Sequence, residues 1–306
     1  AGIGEKHLNG FLELPDTFSV CYLCDLDEAR GRGLLENLPE IRFTTNMADV
    51  LADPEIDIVD ICLPPHLHFS SCIDALEAGK KVICEKPLVA SLREADLLAE
   101  KVDETAGFLS PVFQYRFGLG TAQLNALIDA GLTGKLFAGT LETHWDRGDD
   151  YYKVPWRGTW EGEQGGAILG HAIHIHDLLT NLLGPIDRVF ADLATRVNDI
   201  EVEDCAALNI RMKSGALITS SVTLGCAENM SRMRLMFEGF TVESDHEPYA
   251  IANNAWKFIA REPTQQSDIQ RVLADVGPVR SGYAGMFDAL ARSLDGEDAP
   301  MVTLAD

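Results

Sequence analysis

Histidines at 171, 174 and 176, followed by Asp177, form the richest group of proton-transferring side chains in this sequence. On a helix, His171 and His174 share a face, Asp177 continues that face three residues on, and His176 points elsewhere. A neutral imidazole titrates near neutral pH, so His174 is expected to remove a hydroxyl proton as general base, with Asp177 orienting it. A second candidate is Lys86, in Glu85-Lys86-Pro87. A lysine fixed between a strand end and a proline can stabilise a developing alkoxide, or relay its proton, whereas a plain surface lysine would only pair with Glu85. Such groups suit oxidation of an alcohol, which also needs a hydride acceptor. The same histidines and aspartate could instead coordinate zinc in a hydrolase or lyase. However, His171 and His174 are i, i+3 rather than i, i+4, and no glutamate lies between them, so no metal is expected.

The chain begins Ala1-Gly2-Ile3-Gly4-Glu5-Lys6-His7, which reads as a glycine turn opening a helix near Glu5. Glycines there let backbone approach a pyrophosphate, and the helix N-terminus offers it free N–H groups. Past this turn, the apolar run 18–24 ends at Asp25, whose carboxylate would accept hydrogen bonds from ribose hydroxyls and repel a 2′-phosphate. NAD is therefore expected over NADP, with Arg30 the cation close enough in sequence to bear on that choice. A dinucleotide fold also needs an apolar strand before the turn, so the numbering is expected to begin after residues not retained.

Strands alternate with helices to about residue 118, the pattern of a parallel sheet covered on both faces. Expected strands at 41–44, 56–63 and 81–84 are separated by helices capped by Asn46, running over 67–78, and beginning at Ser91 with Glu94 at capping-box spacing. The carboxyl ends of these strands, at Asp25, Pro64-Pro65 and Glu85-Lys86-Pro87, should carry the functional loops. A strand is expected to end at Gln114-Tyr115-Arg116-Phe117. Beyond it, a helix over 119–130 precedes strand-like runs at 137–145, 189–195, 206–212, 216–225 and 233–240, with helices over 167–183 and 283–294. Short turns such as Lys213-Ser214-Gly215 imply a largely antiparallel sheet. The expected fold is thus α/β: a Rossmann-type parallel sheet in a domain over 1–118, then an α+β domain over 119–306.

With 46% hydrophobic residues among 306, the chain can bury a large core. A formal charge of −23 argues against nucleic acid and anionic membrane as partners. No run approaches twenty apolar residues. Seven cysteines lie mostly in apolar runs, which favours buried thiols in a reducing, cytoplasmic compartment; Cys21-x-x-Cys24 has no second pair and sits on an expected strand.

Gly2-Ile3-Gly4-x-x-His7, the strand and loop Lys81 to Leu88, and Gly165-Gly166 followed by His174-x-x-Asp177 together resemble the Gfo/Idh/MocA family of NAD(P)-dependent sugar and polyol oxidoreductases. The resemblance spans almost the whole chain. It implies an N-terminal Rossmann domain, a C-terminal open-faced sheet that shapes the substrate site and mediates assembly as a homodimer or homotetramer, and hydride transfer at a secondary alcohol. It places Gly2, Ile3, Gly4, His7, Asp25, Leu63, Pro64, His68, Glu85, Lys86, Arg116, Trp156 and Arg157 near the cofactor. Many members carry an aspartate four residues before the catalytic histidine, where this chain has Gly170, and His171 is expected to supply the missing polar group. Three of the four tryptophans fall between 145 and 160. Aromatic faces beside polar groups suit a sugar, which makes Trp145 and Tyr152 substrate candidates with Lys86, His171 and His174. The alternative on the same fold is a dinucleotide-binding sensor without turnover, against which the retention of Lys86 and His174 argues.

Overall fold

Short apolar runs closed by polar caps build the first of two units, and the structure, a computed structural model, describes residues 2–304. In chain order the elements of this unit are α1 (Gly2–Leu12), β1 (Tyr22–Cys24), α2 (Glu28–Leu34), β2 (Arg42–Thr44), α3 (Met47–Ala52), β3 (Ile58–Ile61), α4 (His68–Glu77), β4 (Lys81–Cys84), α5 (Leu92–Thr105) and β5 (Leu109–Pro111). Side-chain oxygens of Asp27, Asn46 and Ser91 cap α2, α3 and α5 by accepting from backbone N–H groups of the first turn. All strand pairs are parallel: β1 with β2, and β3–β4–β5 in order. Val82 and Cys84 of β4 are fully buried against Ile61, Leu76, Leu98 and Leu109, as expected of a strand covered on both faces.

The structure corrects the start of this unit. The helix opens at Gly2 rather than near Glu5, so Gly2, Ile3 and Gly4 form its first turn instead of a separate glycine loop. A strand ahead of them would lie outside the described residues. Cys21 precedes β1 rather than sitting on it.

The second unit holds α6 (Leu119–Asp129), β6 (Leu136–Asp146), the one-turn helices α7 (Asp149–Tyr152) and α8 (Trp160–Glu163), α9 (Ile173–Leu183), β7 (Ile186–Ala194), β8 (Cys205–Met212), β9 (Leu217–Thr223), β10 (Gly225–Phe237), β11 (Phe240–Glu243), β12 (Lys257–Ala260) and α10 (Gln266–Ala274). Seven strands form one sheet ordered β12-β11-β10-β6-β9-β8-β7, antiparallel throughout except for the parallel pair β6–β9. Alternation sends Leu141, Ile218, Leu208 and Leu235 into a core shared with Leu124 and Leu127 of α6, Ile175, Leu178 and Leu179 of α9, and Ile269 of α10. The opposite face carries Phe190 and Leu217, 66% and 59% exposed, with Asn209, Thr219, Ser221 and the Arg232–Glu142 ion pair.

Three expectations differ here. Gln114–Arg116 is a single 3₁₀ turn after β5, not the end of a strand. The helix expected over 167–183 is a π-helical turn, Ile168–Ala172, followed by α9. The boundary falls at Val112/Phe113 rather than 118/119, and from Phe287, within α11 (Gly282–Leu294), the chain belongs to the first unit. There Phe287 stacks on Phe11 with ring centroids 4.0 Å apart, and Ser110 Oγ donates to the Val302 carbonyl at 2.9 Å. No helix among the described residues is long and apolar enough to cross a membrane.

Candidate active site

In the first unit the strand ends carry the polar groups. Pairing with β3 runs on beyond β4, where the Glu85 N–H donates to the Ile61 carbonyl at 2.9 Å. Glu85 is buried, Lys86 is half-buried, and the Lys86–Pro87 peptide is cis. The other side of this loop is held by His68, whose Nδ1 and Nε2 lie 2.7 Å from the carbonyl oxygens of Pro87 and Leu63. His68 thus ties the segments after β3 and β4 together. Burial pushes its pKa below that of an ordinary histidine and outweighs the two carbonyls, which pull it up. Leu63 is exposed and Pro64 half-buried on the segment so tied.

Asp25 follows β1, and its Oδ1 accepts from the Asp27 N–H at 2.9 Å. Arg30 spends its backbone N–H on Asp27. The first N–H groups of α1, at Gly2, Ile3 and Gly4, have no acceptor within the helix. His7 is 1% exposed, with Nδ1 on Asp60 at 2.9 Å and Nε2 on Glu85 at 3.0 Å. It was expected beside a cofactor, and its ring bonds the two carboxylates and lies against the Cys62 thiol and the Phe287 ring.

In the second unit His174 is 3% exposed, its ring stacked on Tyr115 at 4.9 Å and edge-on to Phe113 at 6.5 Å. These packed rings fix its orientation. His171, in the π-helical turn, has its Nε2 3.3 Å from the Tyr151 hydroxyl and its ring edge-on to Trp145. Short π-helical segments recur at functional sites, because the extra residue re-aims the side chains that follow. The turn is anchored at its start: Glu203 accepts the N–H groups of Gly166 and Ile168, both at 3.0 Å. A Cβ on Gly166 would meet the Glu203 carbonyl oxygen at 2.0 Å, so that close approach requires glycine.

Asp177 is not only an extension of the histidine face. Both its oxygens accept from Arg116, Nε at 2.9 Å and Nη2 at 2.5 Å, a bidentate pair with the side chains 5% and 7% exposed. Arg116, expected near a cofactor, therefore braces the helix that carries His174. Arg157 lies over the rings of Tyr151 and Trp156, at 3.9 and 4.3 Å, donates to the Tyr151 hydroxyl, and pairs with Glu163. Burial raises the Tyr151 pKa, and the neighbouring Arg157 only partly offsets it.

Trp145 needs correction as a substrate contact. It is 1% exposed, lies in the core, and donates its indole N–H to Ser231 Oγ at 3.0 Å. Tyr152 is half-buried and edge-on to Tyr151. His176 bonds Ser220 Oγ at 2.9 Å, a packing role, and burial pushes its pKa down to about 4. Sequence reasoning passed over Tyr151, Glu203 and Asp60. Tyr151 stood beside the chosen Tyr152, and the other two announce themselves only by partners distant in sequence.

Residues 1–113 match the oxidoreductase family with an NAD-binding Rossmann fold, and residues 121–242 match the GFO/IDH/MocA C-terminal domain. Levoglucosan dehydrogenase of Pseudarthrobacter phenanthrenivorans is 32% identical over half of this chain and 39% of its own length. Myo-inositol 2-dehydrogenase of Thermotoga maritima is 27% identical over 70% of this chain and 64% of its own length. The chain thus covers less than two thirds of either relative. The WlbA dehydrogenase of Bordetella pertussis, solved in complex with NADH and UDP-GlcNAcA, superposes with a TM-score of 0.84 at 25% identity, covering all of this chain and 89% of that one.

Proposed function

Because the chain belongs to the GFO/IDH/MocA family of NAD-binding oxidoreductases, we propose that it is an NAD-dependent dehydrogenase acting on a secondary alcohol, or the corresponding ketone, of a sugar, polyol or related cyclic substrate. The observation that carries this reading is the presentation of Lys86 at the carboxyl end of a buried parallel strand, on a loop held by Glu85 and His68. The residues suit a dinucleotide: the first N–H groups of α1, which have no acceptor within the helix, can meet a pyrophosphate, and Asp25 offers a carboxylate to ribose hydroxyls. When bound, the nicotinamide accepts the hydride in oxidation and delivers it in reduction.

In the oxidative direction the His174 imidazole removes the hydroxyl proton while the Lys86 ammonium stabilises the charge developing on oxygen. Stacking on Tyr115 holds the His174 ring, and the Arg116–Asp177 pair holds its helix. His171 and the Tyr151 hydroxyl supply the polar relay at the place where Gly170 removes a carboxylate. Arg157, packed on Trp156 and Tyr151, is assigned to cofactor or substrate, and Tyr152 to substrate. The uncovered sheet face supports a homodimer or homotetramer. Free cysteines throughout the described residues support a reducing, cytoplasmic setting.

The experiment is a panel of cyclic sugars, polyols and sugar acids with NAD and with NADP, followed at the reduced-nicotinamide absorbance. His174→Ala and Lys86→Met should each lower kcat by about two to four powers of ten with NAD binding retained. Activity unchanged in both variants, or lost to chelator and restored by zinc, would refute the mechanism.

A further inference from the structure

His7 takes no part in the steps above, yet it is buried among polar groups of the first unit. Its Nδ1 lies 2.9 and 3.1 Å from Asp60 Oδ2 and Oδ1, and its Nε2 lies 3.0 Å from Glu85 Oε1. A carboxylate oxygen only accepts, so an imidazole that bonds carboxylates on both sides donates from both nitrogens and carries a positive charge. The second oxygen of Glu85 is also engaged: Oε2 accepts the Lys86 backbone N–H at 3.0 Å. Asp60 lies on β3, and Glu85 follows β4, the strand paired with it in parallel register. A continuous path of charge-assisted bonds therefore runs from Asp60 through His7 to Glu85 and ends on the backbone of Lys86.

We propose that His7 is a positioning residue for Lys86: bridging Asp60 and Glu85, it fixes the Glu85 carboxylate and, through it, the loop that presents the lysine to the substrate oxygen. This rests on the reading of Lys86 as the group that stabilises the reacting oxygen. His7 sits in the α1 helix, Asp60 and the Cys62 thiol face it from β3 and the residues after it, Glu85 from the end of β4, and the Phe287 ring closes over it edge-on at 5.5 Å. Burial opposes a charge on the ring, but the Asp60 carboxylate more than offsets this and holds the His7 pKa well above the ordinary value.

The bridge also explains two features of the sequence pattern. A histidine three residues past the second glycine falls one turn further along α1, on the side that faces the strand ends. A glutamate before the lysine is needed because one carboxylate must serve two donors, the imidazolium and the backbone N–H. A simpler acceptor such as a backbone carbonyl would leave the buried cation with one countercharge instead of two. The competing use of the same atoms is a metal site, since ligand atoms of His7, Asp60 and Cys62 lie within 4.8 Å of one another. That use needs a ring nitrogen without its proton, whereas the bridge needs both protons, so the two are separable by direct observation.

The test uses the full chain with saturating NAD. Nitrogen-15 spectra of the histidine rings should show His7 protonated at both nitrogens at pH 7.5; a neutral ring there, or zinc binding at a ratio of one that is lost in Cys62→Ser, would overturn the bridge. Asp60→Asn and His7→Gln should lower kcat up to about a hundred-fold while the Kd for NAD stays within about three-fold of the parent. Asp60→Asn is the milder change and serves if His7→Gln does not fold. Variants that lose stability or NAD affinity but turn over normally once saturated would reduce His7 to a packing residue. Lys86→Met is measured alongside. If it is inactive while both bridge variants retain full kcat, only the positioning role falls; if it is fully active, the reading of Lys86 itself falls.

Discussion

Asp177→Asn tests what braces the helix of His174. The substitution keeps the shape of the side chain and removes its charge from a bidentate pair with Arg116 whose side chains are 5% and 7% exposed. Removing one member of a buried pair leaves the other charge without its partner and costs about 3–5 kcal/mol. For a unit of this size each kcal/mol moves Tm by about 2–4 °C, so a fall of roughly 6–20 °C is expected. Arg116→Met should cost a similar amount, and the double variant Arg116→Met/Asp177→Asn should recover much of the loss, because no charge is then stranded. Differential scanning calorimetry of the three variants closes the cycle, with an expected coupling of about 2 kcal/mol or more. Strict additivity, with coupling under about 0.5 kcal/mol, would refute the brace. A kcat that falls in Asp177→Asn but not in Arg116→Met, with a shifted pH profile, would instead restore direct orientation of His174 by Asp177.

NAD should bind at least about ten-fold more tightly than NADP, a gap of about 1.4 kcal/mol, and Asp25→Asn should narrow it; calorimetric titration with NADP equal or tighter would remove Asp25 from cofactor selection. His176, with its pKa pushed down to about 4 against about 6.5 in an unfolded chain, binds fewer protons when folded. Stability should therefore decline as pH falls from about 6.5 to about 4, by up to about 3 kcal/mol, and His176→Gln should flatten that slope in urea titrations. Light scattering at micromolar protein should return a mass above that of one chain, and Phe190→Glu with Leu217→Glu on the open sheet face should lower it; a monomeric parent would refute the interface.

Much of this arrangement was legible because it is local. The strand before Glu85-Lys86-Pro87 carries the apolar run Val82-Ile83-Cys84, and burial on both faces demands that pattern. The helix that carries His174 was legible too, although it opens at Ile173, after a π-helical turn that holds His171. What escaped reading is set by partners remote in sequence. Asp177 meets Arg116 across 61 positions, His7 meets Glu85 across 78, and Glu203 reaches back 37 to Gly166. Composition cannot tell a ring that faces a sugar from one that fills a core, which is why Trp145 was misplaced. The glycines at 2 and 4 suit a turn and a helix start equally, and only the backbone decided between them.

Phe287 on Phe11 and Val302 on Ser110 bear on how the molecule is made. The first unit is assembled from the two ends of the chain, with the whole second unit inserted between its pieces. A ribosome adding about 5–20 residues per second finishes the nucleotide-binding strands long before it delivers the residues that complete their packing. For roughly ten to thirty-five seconds, while residues 113–286 are being added, the nascent first unit exposes the Phe11 surface and lacks its final strap. A fragment cut after Val112 would lack Phe287 and Val302, the partners of Phe11 and Ser110, and would reproduce that unfinished state permanently.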